Sequence, residues 1–175
     1  VRSSAASDVY KRQKEDMMGP KLNHFNENGN AVMVDVSGKE ATDRTALARG
    51  KIRVSPQVLS AILDHAVGKG DVLGVARIAG IMAVKRTWEF IPLCHPLMVS
   101  KVDLNFIIPE DENSVVAECS VGFCGRTGVE MEALTGVAAA LLTIYDMCKG
   151  FGKEMEISDI HLVHKEGGKL SLIHI

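Results

Sequence analysis

The sequence predicts an α+β domain, an antiparallel sheet with helices packed on one face. Three observations carry this. Residues 102–123 alternate apolar and polar side chains on either side of the turn Pro109-Glu110-Asp111-Glu112-Asn113, the pattern of a β-hairpin. Two helical patterns follow one another over residues 55–88 with no strand between them. Strands and helices therefore do not alternate one for one, as a parallel βαβ array would require. At 175 residues, 46% hydrophobic and 24% charged, the chain has material for one core and shows no linker to a second.

The elements follow in order. After a polar, turn-rich stretch at 23–30, Ala31–Val36 (AVMVDV) predicts a short strand, and residues 37–46 (SGKEATDRTA) read as loop. Ala46, Ala48, Gly50, Ile52 and Val54 then alternate with Leu47, Arg49, Lys51 and Arg53, a strand with one apolar face. Ser55-Pro56 is an N-cap followed by proline at the first helical position, so a helix opens there with Val58, Leu59, Ile62, Leu63 and Ala66 as its stripe. Gly68-Lys69-Gly70-Asp71 interrupts it. A second helix is expected to about Trp88, with Val72, Val75, Ala76, Ala79, Met82 and Ala83 at helical spacing. Phe90–Met98 (FIPLCHPLM) contains two prolines and reads as a rigid, non-helical connection. Val102, Leu104, Phe106 and Ile108 form one hairpin strand, and Val115, Ala117, Cys119, Val121 and Phe123 the other. After the glycine-bounded loop at 124–128, the longest helix runs from about Val129 to Lys149 and is stopped by Gly150 and Gly152. Ile160, Leu162 and His164 mark a last strand.

Charge and composition remove several function classes. Twenty Lys+Arg face 22 Asp+Glu for a net charge of -2, which disfavours nucleic-acid or membrane binding by bulk positive charge. Aromatic residues are 5%, too few for a base-stacking platform. No uninterrupted apolar run approaches the roughly 20 residues of a bilayer span, and residues 1–20 hold no apolar signal core. The four cysteines (Cys94, Cys119, Cys124, Cys148) show neither disulfide-scaffold nor zinc spacing, so a cytoplasmic chain without a metal site is expected.

The two ends carry their own signal. Residues 8–13 (DVYKRQ) and 170–175 (LSLIHI) can be encoded by opposite strands of one short DNA duplex. Both are expected to be adapter-derived. The expected organisation is a non-native or disordered tail at 1–20, a single catalytic domain at 21–169, and a non-native tail at 170–175. The native carboxyl terminus is expected to continue differently after Lys169.

Several short segments carry chemistry. Gly68–Gly74 (GKGDVLG) follows a helix instead of a strand and lacks the spacing of a phosphate loop, so it reads as a helix–helix turn. Lys69, between two glycines, is still able to aim its ammonium into a neighbouring cleft. Cys94 and His95 sit side by side in the proline loop. Cys94 is either a small buried residue or a nucleophile, and His95 either a ligand contact or a histidine bonded to loop backbone. Glu130 and Glu132 open the longest helix, whose first N–H groups suit an anionic or carbonyl group. Asp146 and Lys149, three apart near the other end of that helix, share a face. They read as a surface ion pair or as a lysine tuned for proton transfer. The apolar surroundings (LLTIYDMC) favour the second reading by limiting solvent access to Asp146. At about 100° per residue, Glu132, Thr143 and Asp146 fall on nearly one stripe.

Residues 33–52, 70–106 and 125–150, above all the segments from Ala76 to Leu97 and from Thr127 to Lys149, together resemble the cyclic pyranopterin monophosphate synthase family, the molybdenum cofactor biosynthesis protein C family. The resemblance spans about Leu22 to Lys169. It implies a ferredoxin-like α+β fold and a homohexamer, a trimer of dimers with sites at dimer interfaces. It also implies a lyase that converts (8S)-3',8-cyclo-7,8-dihydroguanosine 5'-triphosphate to cyclic pyranopterin monophosphate and pyrophosphate. No cofactor, metal, nucleic acid or membrane partner is expected. By this resemblance the catalytic residues fall on Asp146, Lys69 and Lys149. Substrate contacts fall on Leu93, Cys94, His95, Met131 and Glu132, with Arg44, Glu130 and Lys165 as further charged site residues. A triphosphate needs several cations, which Arg44, Lys69, Lys149 and Lys165 supply despite the negative total. The competing expectations are an oligomeric module that holds a nucleotide without turning it over, and a metal-dependent nuclease or deaminase. The second is disfavoured by the cysteine and histidine spacing.

Overall fold

The computed structural model describes residues 24–65, 67–68, 70–168 and 173–174. Lys69 and residues 1–23 lie outside the described residues. Of the segment 169–175, only the backbone of 173–174 is described.

Among the described residues, those up to Val34 belong to one unit and those from Asp35 to a second. In the first unit Asn26 closes a turn: its side-chain Oδ1 accepts from the backbone N–H groups of Asn28 (3.0 Å) and Asn30 (2.9 Å), with Gly29 at φ 77°. One bridge pairs Phe25 with Ala31. The strand expected over 31–36 does not extend beyond it. The Asn26 turn is satisfied by side-chain oxygen, and no strand among the described residues offers a ladder to residues 32–36.

The second unit is a sheet with order β2-β3-β1-β4-β5, every neighbouring pair antiparallel. The strands are β1 Thr42–Arg53, β2 Lys101–Ile107, β3 Ser114–Gly125, β4 Glu156–Glu166 and the two-residue β5 Ile173–His174. The helices are α1 Pro56–Leu63, α2 Val72–Lys85, α3 Thr87–Phe90 and α4 Glu130–Cys148. The four long strands with α2 and α4 give the α+β architecture expected from the sequence.

Ser55 caps α1 as its sequence predicts, its side chain accepting from Val58 N–H at 3.2 Å. Asp71 caps α2 in the same way through Gly74 N–H at 2.9 Å. The second helix does not run unbroken to Trp88. The Thr87 hydroxyl donates to the Val84 carbonyl at 3.1 Å, the backbone turns at Arg86, and α3 starts as a separate turn.

Inward-facing Ala48, Ile52, Leu104, Val115, Ala117, Cys119 and Val121 meet Ala76, Val84, Val137, Ala140, Leu141 and Ile144 from α2 and α4. Burial pushes the Cys119 thiol up to about 12, so it is an apolar filler. Glycines set the closest approaches. A Cβ on Gly80 of α2 would clash with Leu104 and lie 2.8 Å from the Gly136 carbonyl oxygen of α4. The outer sheet face is ionic, with pairs Arg49–Glu118, Arg53–Glu156 and Lys51–Glu112. Helix α4 is long and apolar enough to cross a membrane by length and composition, but 56% of its most apolar window is buried within the chain. Its apolar side chains have a destination in the core.

Two strands begin earlier than their patterns suggest. β1 starts at Thr42, within the stretch read as loop, and Thr42–Thr45 pair with residues 122–125 of β3. β4 starts at Glu156 because two register shifts against β1, with Asp159 at φ 54°, break the alternation that would reveal it.

Candidate active site

The polar start of β1, the loop after β3, the start of α4 and the end of β4 converge on a cavity of about 620 Å³. Its lining includes Lys39, Arg44, Arg126 and Lys165, with Glu40, Glu130 and Glu166 among them. Thr42 and Arg44 are polar because this end of the strand faces the cavity instead of the helices. Lys165 Nζ donates to Glu130 Oε1 at 2.6 Å, both side chains being largely covered. Glu166 Oε1 lies 3.1 Å from His164 Nε2. Arg44 Nε donates to the Gly125 carbonyl at 3.3 Å.

Glycines make this geometry possible. A Cβ on Gly128 would collide with the Glu130 carboxylate, which folds back over the loop towards Lys165. Val129, the N-cap of α4, provides no side-chain cap, so the helix start faces the cavity without a competing oxygen from its own cap. The Glu130 carboxylate lies over this start, and the Glu132 carboxylate accepts from its own backbone N–H in the first turn.

A second chamber of about 510 Å³ adjoins the first through Arg126 and Thr127. It is mainly apolar, lined by Val36, Ala41, Pro96, Leu97 and Phe123, with His95 from the proline loop. Leu93, Cys94 and His95 are half-buried on that loop. Burial raises the Cys94 thiol, and the nearby Glu132 carboxylate raises it further. A thiol held protonated is not an activated nucleophile, which leaves the apolar reading of Cys94.

Glu132 is only 4% exposed. Burial raises its pKa and the Glu130 charge adds to the shift. Glu130 and Glu132 thus have different surroundings, as their two-residue spacing predicts. Met131 between them is partly exposed.

Asp146 and Lys149 form an ion pair at 2.6 Å, with side chains 61% and 55% exposed. The expectation that apolar neighbours limit solvent access to Asp146 is not met in the single chain. Ile144, Met147 and Cys148 turn into the core, whereas Asp146 and Lys149 occupy the outer face of the last turns. The contact raises the lysine pKa through the Asp146 hydrogen bond and charge. The stripe of Glu132, Thr143 and Asp146 is not one site either. Thr143 bonds its own helix through the Ala139 carbonyl at 2.7 Å, and Glu132 is covered while Asp146 is open.

The structure thus brings Arg44, Glu130 and Lys165 together, with His95 in the adjoining chamber. It leaves Asp146 and Lys149 at the far end of α4, a rise of about 24 Å from Glu130. Lys69 lies outside the described residues. Sequence reasoning missed Lys39, Thr42 and the Gly167-Gly168 turn as lining residues. Arg126 had a signal, its place beside the mouth of the long helix. Among the described residues no group of three His, Cys, Asp or Glu side chains could hold a metal ion.

Comparison with known proteins gives a consistent result. The MoaC family model matches residues 33–168. Cyclic pyranopterin monophosphate synthase of Clostridium perfringens (strain SM101 / Type A) is 53% identical over 152 residues, 87% of this chain and 96% of the relative. The protein of the same description from Pelobacter propionicus is 54% identical over 148 residues, 85% of this chain and 92% of the relative. That from Clostridium botulinum (strain Alaska E43 / Type E3) is 55% identical over 152 residues, 87% and 96% respectively.

Proposed function

The chain belongs to the MoaC family, and from that premise we propose that it is a lyase forming cyclic pyranopterin monophosphate in molybdenum cofactor biosynthesis. Its substrate in this reading is (8S)-3',8-cyclo-7,8-dihydroguanosine 5'-triphosphate, and pyrophosphate is the second product. The observation that carries the reading is the paired cavity. A chamber edged by Lys39, Arg44, Arg126 and Lys165 suits a polyphosphate, and the apolar chamber beside it suits a flat ring.

The reaction joins a substrate hydroxyl to the α-phosphorus and expels pyrophosphate, while the purine-derived ring is rebuilt. The first part is governed by positioning and charge neutralisation, the role given to the cations and to the uncapped start of α4. The second needs proton donors and acceptors, assigned to Lys69 and Lys149, with Asp146 holding Lys149 in place and charged.

Within one chain about 24 Å of helix separates Glu130 from Asp146. That separation supports a site that takes residues from two copies, within a homohexamer built as a trimer of dimers. Exposed Val75, Ile78 and Met82 along α2 and Leu142 on α4 offer apolar surface for such an assembly. All four cysteines are free thiols, in keeping with a reducing cytoplasm.

The test is incubation with the cyclic dihydroguanosine triphosphate, with pyrophosphate and the pyranopterin product both measured. Stoichiometric release of the two is expected. Binding of the triphosphate by folded, assembled protein without release would overturn the enzyme reading in favour of a binding module.

A further inference from the structure

β4 is followed by two glycines with left-handed backbone, Gly167 at φ 95° and Gly168 at φ 78°. Their surroundings differ in kind. A Cβ on Gly167 would collide with the Asp43 carbonyl oxygen and lie 2.9 Å from Arg44 Cδ. A Cβ on Gly168 would collide with Arg44 Nη1 and lie 2.9 Å from Cζ. The turn therefore passes directly across the Arg44 side chain, bare backbone against the guanidinium. It is held there because Thr45 pairs with Glu166, the last residue of β4.

On its other flank Arg44 Nε donates to the Gly125 carbonyl at 3.3 Å. Gly125 is itself restricted, since a Cβ there would strike the Phe123 ring. Arg44, Gly167 and Gly168 all line the charged chamber. Three glycines from two loops thus form a slot for one guanidinium, and a side chain at either φ-positive position would be strained as well as crowding it. An arginine recognises a phosphate best when its planar fork is already aimed, because less side-chain entropy is then lost on binding.

We propose that the Gly167-Gly168 turn is a positioning element that holds the Arg44 guanidinium towards the phosphate end of the substrate. The proposal rests on the reading of Arg44 as a substrate contact in the function proposed above. It gives the end of β4 a role in affinity for the triphosphate without touching the reacting atoms.

Four variants test it by pyrophosphate release from the cyclic triphosphate: Gly168→Ala, Gly168→Asn, Arg44→Gln, and Arg44→Gln combined with Gly168→Ala. Asn tolerates left-handed backbone but still carries a Cβ, so it separates displacement of Arg44 from strain in the turn. Gly168→Asn is expected to keep the parent melting temperature and to raise KM about tenfold while kcat changes less than about threefold. Gly168→Ala is expected to show at least the same KM change. The double variant is expected to be no worse than Arg44→Gln alone, because both changes remove one interaction. Parent kinetics in Arg44→Gln would overturn the reading of Arg44 itself. An impaired Arg44→Gln with parent kinetics in Gly168→Asn would overturn the positioning role. Strictly additive losses in the double variant would show that Gly168 acts through something other than Arg44.

Discussion

Helix α4 carries a lysine–carboxylate pair at each end, and the two pairs have the same length. Lys165–Glu130 and Lys149–Asp146 both close at 2.6 Å. Their surroundings are opposite. At the start of the helix the side chains are 21% and 28% exposed, enclosed by the Gly128 loop, the polar end of β1 and the end of β4. At the other end they are 55% and 61% exposed, with solvent on the outer face. An exposed pair of this kind contributes little to stability, because water screens it. The lesson is that contact distance does not identify a site. The start of α4 is a candidate site in the single chain because a cavity surrounds its pair. The end of α4 has the residue types of a site without the enclosure, which a second copy would have to bring.

The largest expected effect comes from breaking the exposed end. Asp146→Asn or Lys149→Ala is expected to lower turnover by about 10²–10⁴-fold with folding unchanged, and the double variant to lose little more than the worse single one. Mixing Asp146→Asn subunits with Lys165→Met subunits sharpens the comparison. If each site takes one end of α4 from each of two copies, random co-assembly restores about a quarter of parental activity. Mixtures that remain as inactive as their components, with exchange verified by mass, would mean that the two ends never share a site.

Breaking the enclosed pair comes next. Lys165→Met removes a cation from the charged chamber; if Lys165 makes one charge-assisted contact to the phosphates, worth about 1.5–3 kcal/mol, kcat/KM falls by about 10–100-fold. Steady-state kinetics at fixed ionic strength would check this. A loss confined to melting temperature would make the pair purely structural.

A smaller change targets the scaffold that joins the two ends. Gly80→Ala places a methyl group 2.8 Å from the Gly136 carbonyl at the α2–α4 crossing. Overpacking there is expected to cost about 1–3 kcal/mol in denaturant unfolding. Activity per folded molecule should survive, since neither end of α4 is touched. A change in kinetics at parental stability would show that the crossing sets the geometry of the ends.

The smallest effect concerns Glu132. Burial raises its folded pKa above the ordinary 4.5. The folded state then binds the proton more tightly, so the associated stability is complete below the unfolded pKa and is lost as pH rises through the folded one. Glu132→Gln cannot ionise and escapes that loss. The melting temperature of the variant relative to the parent should be near zero difference at about pH 4 and positive at about pH 8. A constant offset across that range would mean that Glu132 is not held protonated by burial.

Legibility followed the source of the pattern. The hairpin, the Ser55 cap and the long helix were readable because each depends on neighbours in sequence. Thr42–Thr45 read as loop because a strand facing a charged cavity has no apolar alternation to show. The beginning of β4 was hidden by the register shift around Asp159, which breaks the alternation. Strand Ala31–Val36 was over-read, because alternation marks a strand only where another chain segment completes the ladder.

By itself, the sequence determined the α+β class, the apolar faces, the Ser55 cap and, through its resemblance, the family and the residue types expected of its site. Periodicity and capping are local, and family motifs persist as residue identities, so neither needs coordinates. Only the tertiary structure decided that Glu130 meets Lys165, that Glu132 is covered while Asp146 is open, and that two glycines cross Arg44. Each of these depends on what another element presents at that spot. The pitch of a helix brings Glu132 and Asp146 to one side, but only the packed loops and strands determine which of them water can reach.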